Sequence, residues 1–294
     1  MVENKPPNAA ALSEIKEEIR ALAFEHGARV FGVASIEETD KRAPAGHRPS
    51  DFLAGARSVI VFGFMLSTAG AIQAADAMTQ SLSSHHGMKR VFSLNAIIAH
   101  TVEKRYGYMT TGLPGLPAKG DFDPHMSLKA CAEAAGLGMR ALSSMVITPE
   151  YGPRIFFSAI ATTAPLPPDQ PLTRNPCPHP DCVRMWHESG TTLCLDACPA
   201  GAITGTLDGR KIAHRSYDQV KCMPFALMSH IERFTKVLEA AMEEKDAGSR
   251  KMILYGTEFQ RSLYDLYWAG IEGRGTCWVC MNVCPVGKEH IVLM

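Results

Sequence analysis

The chain has 294 residues, 46% hydrophobic and 20% charged, the ordinary range for a soluble globular fold of one large or two smaller domains. Its 30 basic and 30 acidic side chains cancel and are spread evenly, which argues against a nucleic-acid partner, since that normally demands a basic face. Only Lys89-Arg90 and Lys104-Arg105 leave room for a local patch. The first residues, Met1 to Pro7, hold neither a secretory core nor a twin-arginine pair, so the expectation is a cytoplasmic protein without disulfides.

In chain order, Ser13–His26 reads as an amphipathic helix, with Ile15, Ile19 and Leu22 on one face and Gly27 as its stop. Arg29–Ala34 and Ser58–Met65 read as buried strands. The uncharged run from Ser58 to Ala75 is not a membrane span, because Ser67, Thr68, Gly70 and Gln73 interrupt it; a strand followed by a helix fits better. His85-His86 reads as a polar loop before a helix over Val91–Tyr106. A second helix, Met126–Ala135, is closed by Gly136-Leu-Gly138, and a turn at residues 149–153 leads into a strand at Ile155–Thr162. Seven prolines then fall within Pro165–Pro180, a density that excludes helix and central strand. The expected organisation is therefore an α+β fold. A three-layer α/β domain (1–164) meets a stiff connector (165–180), and a mostly helical domain (177–294) follows. In the latter, Pro224–Met242 reads as a long helix with Leu227, Ile231, Phe234, Leu238 and Ala241 on one stripe. Tyr264, Tyr267 and Trp268 form an aromatic group.

Eight of the nine cysteines lie between Cys177 and Cys284. The ninth, Cys131, sits among alanines and reads as a small buried hydrophobe. Two tails match: Cys194-Leu-Asp-Ala-Cys198-Pro199, and Cys277-Trp-Val-Cys280-Met-Asn-Val-Cys284-Pro285. A C-x2-C-x3-C-P run ends the bacterial ferredoxin pattern, whose last cysteine ligates the other of two clusters. Two such tails imply two [4Fe–4S] centres with crossed ligation. Cluster one takes Cys177, Cys182, Cys194 and Cys284; cluster two takes Cys198, Cys222, Cys277 and Cys280. The first group is irregular, with four residues between Cys177 and Cys182 and eleven between Cys182 and Cys194, so His179 competes as a ligand. Trp278 is placed to shield cluster two from water. Tetrahedral zinc also uses C-x2-C pairs but gives no reason for proline after the cysteine, which favours iron–sulfur.

With these residues assembled, the chain resembles the epoxyqueuosine reductases and, more distantly, the reductive dehalogenases. The likeness rests on Cys194-Leu-Asp-Ala-Cys198-Pro199-Ala-Gly-Ala-Ile203, the lone Cys222, and Cys277-x2-Cys280-x3-Cys284-Pro285. It also rests on Gly55-Ala-Arg-Ser-Val-Ile60, Ala135-Gly-Leu-Gly138 and Thr148-Pro-Glu-Tyr-Gly-Pro-Arg154. The resemblance implies a cobalamin-binding domain joined to a ferredoxin-like domain, with electrons passing through the clusters to a corrinoid or a small-molecule substrate. It implies a carboxylic acid as proton donor, best matched by Asp121 in Asp121-Phe-Asp-Pro124, with Asp123 as rival. The electron donor it implies is a ferredoxin or flavodoxin. The chain departs from the family by its stretched first cysteine group, by Met139-Arg140 after Gly138, and by lacking both the basic balance of a tRNA binder and the helical-repeat tail. Asp123-Pro-His125-Met-Ser-Leu128 begins like the D-x-H-x-x-G motif that supplies a histidine to cobalt, but Leu128 replaces its glycine, so His125 reads as an ordinary helix-start residue. Arg154 is either structural or a holder of an anionic group. A non-enzymatic electron carrier, or a reductive activator of a partner protein, is the rival to a reductase.

Overall fold

The structure, a computed structural model, describes residues 9–66, 77–113, 126–266 and 277–290. The elements open with α1 (Ala9–Glu25), β1 (Val30–Ser35), α2 (Ile36–Arg42), β2 (Ser58–Met65), α3 (Ala77–Tyr106) and β3 (Thr110–Leu113). There follow α4 (Leu128–Ala134), the short pair β4 (Met139–Arg140) and β5 (Val146–Ile147), and β6 (Ile155–Thr162). The main sheet runs β1-β2-β6-β3, every neighbour antiparallel.

Strand periodicity divides the core. Ile60 and Phe62 of β2 point to one face with Val33 and Ile160, where Ile19 of α1 and Leu94, Ile98 and Val102 of α3 cover them. Val59 and Val61 point to the other face with Ala34 and Ala159, under Cys131 and Ala132 of α4. Helices thus lie on both faces of the sheet. Cys131 is fully buried there, and burial pushes its thiol pKa strongly upward, as befits a packing residue.

The Ala135-Gly-Leu-Gly138 motif has a steric origin. Gly136 closes α4 with φ 71°, and a Cβ there would sit 2.2 Å from the Gln170 carbonyl oxygen. At Gly138 a Cβ would lie 2.7 Å from the Ile147 carbonyl. Both glycines therefore let backbone meet backbone. Gly136→Ala is expected to cost on the order of 1–3 kcal/mol from the left-handed conformation alone, with the clash added, read as a lower urea midpoint.

Residues 165–179 form no regular element, as the prolines require, yet they do not stand clear of the sheet. The Asp169 carboxylate accepts from Val33 N at 2.8 Å, Asp169 N donates to Val33 O at 2.7 Å, and Lys16 Nζ reaches Asp169 Oδ1 at 2.7 Å.

Beyond this connector come α5 (Pro180–Ser189), α6 (Leu193–Asp196), the hairpin β7 (Ile203–Asp208) and β8 (Lys211–Tyr217), and α7 (Gln219–Glu243). Then α8 (Ala247–Tyr255), α9 (Thr257–Leu266) and α10 (Val279–Asn282) complete the described α-helices. Helices α7 and α9 meet through Phe234 and Phe259, ring centroids 5.9 Å apart.

Several boundaries differ from expectation. Helix α1 starts at Ala9 rather than Ser13. Helix α3 starts at Ala77, so His85 and His86 lie within it rather than in a loop. Helix α7 starts five residues before Pro224, because Asp218 caps it by accepting from Lys221 N at 3.0 Å. Tyr264 is 61% exposed on α9, whereas Tyr267 and Trp268 lie outside the described residues. Among the described residues no helix is long and apolar enough to cross a membrane.

Candidate metal centre

The two cysteine tails adopt the same local form. Each folds one short helical turn, α6 or α10, carrying one cysteine (Cys194, Cys280); the next cysteine (Cys198, Cys284) follows the C-cap and precedes proline. The two turns pack against one another. Proline prevents further helix, so the chain leaves the site after each second cysteine.

The excess spacing in the first group is taken up by α5. His179 caps that helix, its Nδ1 accepting from Asp181 N at 3.3 Å, and Gly190 closes it with φ 71°. Cys182 therefore sits in the first turn, and the chain returns to present Cys194. Thr192, fully buried, holds its hydroxyl 3.6 Å from the Cys194 sulfur.

The eight thiols fall into two overlapping neighbourhoods. Burial pushes Cys177 up to about 12, and the thiols of Cys194, Cys284 and Cys182 add to the rise. Burial likewise pushes Cys284 up to about 11, with Arg154 opposing and Cys182 and Cys194 reinforcing. These four, together with Cys280, line one apolar cavity with Ile147, Leu193 and Val286. In the second neighbourhood, burial raises Cys280 to about 12, with contributions from Cys277, Cys194, Cys222 and Cys198. Cys277 is raised by burial first, then by Cys222 and Cys198. All nine cysteines are free thiols. Cys194 and Cys198 influence one another across the boundary between the sets. Soft sulfur donors gathered at and beside an apolar cavity suit iron and sulfide.

Three further contacts were not anticipated from the sequence. Arg154, fully buried, donates from Nη1 to Val286 O at 2.7 Å, and from Nη2 to Met281 O at 3.0 Å and Cys284 O at 2.5 Å. It therefore ties the start of β6 to the Cys284-Pro285 turn, which decides for the structural reading of this residue. Ala202 N donates to the Cys198 sulfur at 3.4 Å. Tyr217, beside Cys222, has its hydroxyl pKa raised by burial first and then by a hydrogen bond to that thiol. Trp278 is buried, edge-on to Phe156 at 5.7 Å, and packs with Cys280. His179 lines the first cavity beside Cys177 and Cys182. Asp121, Asp123 and His125 lie outside the described residues.

The fold and these cysteines define a mixed α/β protein with paired ferredoxin-type tails, and comparison with known proteins narrows the class. No protein-family profile matches the chain. Epoxyqueuosine reductase of Bacillus cereus is 30% identical over 118 residues, 39% of this chain and 28% of that protein. The same enzyme from Gloeobacter violaceus is 28% identical over 249 residues, 76% of this chain and 71% of the relative. The tetrachloroethene reductive dehalogenase of Sulfurospirillum multivorans is 27% identical over 165 residues, 55% of this chain and 24% of that protein. Among solved structures, an epoxyqueuosine reductase with an epoxyqueuosine-modified tRNA stem loop aligns with TM-score 0.55 and 18% identity, over 94% of this chain and 66% of that one. A catabolic reductive dehalogenase aligns with TM-score 0.55 and 16% identity, over 92% of this chain and 38% of that one. The chain thus has homologues named epoxyqueuosine reductase and reductive dehalogenase, and it shares their fold while matching only part of most of them. The tRNA in the first of these structures stands in tension with the expectation that nucleic acid is no partner.

Proposed function

We propose that this chain is an iron–sulfur oxidoreductase of the epoxyqueuosine reductase type. In this reading a ferredoxin-like part holds two [4Fe–4S] clusters and serves a substrate or corrinoid site in the part built on the four-stranded sheet. The observation that carries it is the gathering of the cysteine thiols into two overlapping neighbourhoods. We assign Cys177, Cys182, Cys194 and Cys284 to one cluster and Cys198, Cys222, Cys277 and Cys280 to the other. A zinc site holds its sulfurs about 2.3 Å from one ion. Zinc gives no reason for the proline that follows Cys198 and Cys284, which favours the iron–sulfur cube.

When bound, such clusters supply one-electron transfer at a potential set by charge, hydrogen bonds to sulfur and solvent exposure. The chain's own residues set those terms. Ala202 N and Thr192 offer hydrogen bonds at Cys198 and Cys194, Arg154 brings positive charge near Cys284, and Trp278 keeps water from the Cys280 side. Asp121 or Asp123 would supply the proton to the reduced substrate. A non-enzymatic carrier or reductive activator would need only the cysteine-bearing part. The sheet, covered by helices on both faces, and homologues that are reductases favour the enzyme.

Anaerobic reconstitution is expected to bring about eight iron and eight acid-labile sulfide per chain. Titration of that protein with cobalamin is expected to saturate with a changed cobalt spectrum. Zinc in place of iron would remove the redox reading, and absence of cobalamin binding would favour the carrier.

A further inference from the structure

A groove of about 1070 Å³ lies between the proline-rich connector and the β7–β8 hairpin. Arg174 lines it from the connector, and Arg210, Lys211, His214 and Arg215 line it from the hairpin; none of its lining residues is acidic. In a chain whose formal net charge is zero, this is a concentrated positive field. Arg174, Arg210 and Lys211 are exposed, and no ion pair engages them among the described residues. Lys211 does not bridge even to Asp208, its partner in the hairpin register. The two basic pairs visible in the sequence are different: Arg90 lies over the Phe64 ring at 4.7 Å, and Arg105 pairs with Glu18 at 2.8 Å.

Cys177 belongs to two surfaces. It lines the floor of the groove, and it lines the apolar cavity shared with Cys182, Cys194 and Cys284. A carrier seated in the groove would therefore stand one residue from the first cluster, with no intervening element to cross.

Resting on the function proposed above, we propose that this groove is the docking surface for a small acidic one-electron carrier protein of the ferredoxin class, and that electrons enter at Cys177. Charge complementarity selects the occupant: a positive cleft focuses the field and raises the encounter rate of an acidic partner by about 10–10³-fold at low salt. The step is a single electron transfer. The carrier's reduced centre would give up one electron to a [4Fe–4S] cluster held by Cys177, Cys182, Cys194 and Cys284, with no bond broken and no proton moved.

The test is stopped-flow reduction of the reconstituted, full-length protein by a reduced acidic ferredoxin. It compares the unaltered chain with the triple variant Arg174→Glu, Arg210→Glu and Lys211→Glu. Arg215 is left in place because its Nη1 donates to Arg140 O at 2.9 Å. The expected result is a fall of about 10-fold or more in the second-order rate at low ionic strength, shrinking as salt rises. Reduction by the methyl viologen radical, a cation, should hold or quicken. An unchanged ferredoxin rate, with clusters still reducible by viologen, overturns the docking surface alone. Retained ferredoxin rate with lost binding of a tRNA stem loop also overturns it, and assigns the groove to nucleic acid. Absence of viologen-reducible clusters in the unaltered protein overturns the proposed function itself.

Discussion

Arg154→Met is expected to lose about 3–6 kcal/mol of stability, because three buried carbonyls, those of Met281, Cys284 and Val286, lose their donor at once. Methionine fills much of the space and isolates the loss of hydrogen bonding from that of volume. The cost should depend on the clusters. Burial works against the guanidinium charge and lowers its pKa, while the neighbouring Cys284 and Glu289 raise it. A cluster bearing four thiolates adds negative charge beside Arg154, so the cation is better compensated in loaded protein than in metal-free protein. Unfolding of a cofactor-bearing chain need not be two-state. The clearest readout is therefore the half-life of the cluster absorbance at fixed urea. It should shorten sharply in Arg154→Met and less in Arg154→Lys, which keeps the charge but not the fork. An unchanged half-life in both would show that the turn after Cys284 holds itself.

Cys284→Ala is expected to reduce reconstituted iron from about eight to about four atoms per chain, with the set of Cys198, Cys222, Cys277 and Cys280 still occupied. Proximity in sequence suggests otherwise, since Cys284 follows Cys280 by only four positions. The crossed assignment is favoured by the ferredoxin pattern and by the influence of Cys182 and Cys194 on the Cys284 thiol, with Cys280 sharing the same cavity. The double variant Cys177→Ala with Cys284→Ala distinguishes the arrangements. If both serve one cluster, the second substitution removes almost nothing more; if they serve different clusters, iron falls towards zero. Iron and sulfide analysis with electron paramagnetic resonance of the reduced protein checks this. Full loss of iron in the double variant would sink the crossed assignment.

Strands β2 and β6 were legible to the residue, because both are continuous apolar runs buried on two faces. Helix α3 was read too short, since Ser-Ser-His-His-Gly resembles a loop. Gly87 instead permits close approach of the helix to β6, where a Cβ would lie 3.2 Å from the Phe156 ring. The β7–β8 hairpin was missed because β8 is exposed along nearly its whole length and carries no apolar alternation to reveal it. Helix α7 was read from Pro224, five residues late, whereas Asp218 supplies the cap. In the site, the paired tails announced themselves through proline after cysteine. The irregular spacing after Cys177 could not be interpreted until α5 was seen to fill it. Arg154 was singled out with two roles left open, because its three acceptors lie 127 to 132 residues downstream. The groove was invisible for a similar reason: Arg174 and the hairpin cations are separated in sequence and meet only in the fold.

Asp169 bears on how this molecule avoids itself. Strand β1 ends the main sheet, and a bare outer strand is a template on which another polypeptide can add. Here the main chain and carboxylate of one aspartate occupy both hydrogen-bonding groups of Val33, and Lys16 holds that carboxylate in place. The neighbouring prolines lack the N–H needed to extend the ladder outward. The segment between the sheet-bearing part and the part with the eight clustered cysteines thus doubles as a selvedge, finishing the weave so that copies of the chain do not stitch together.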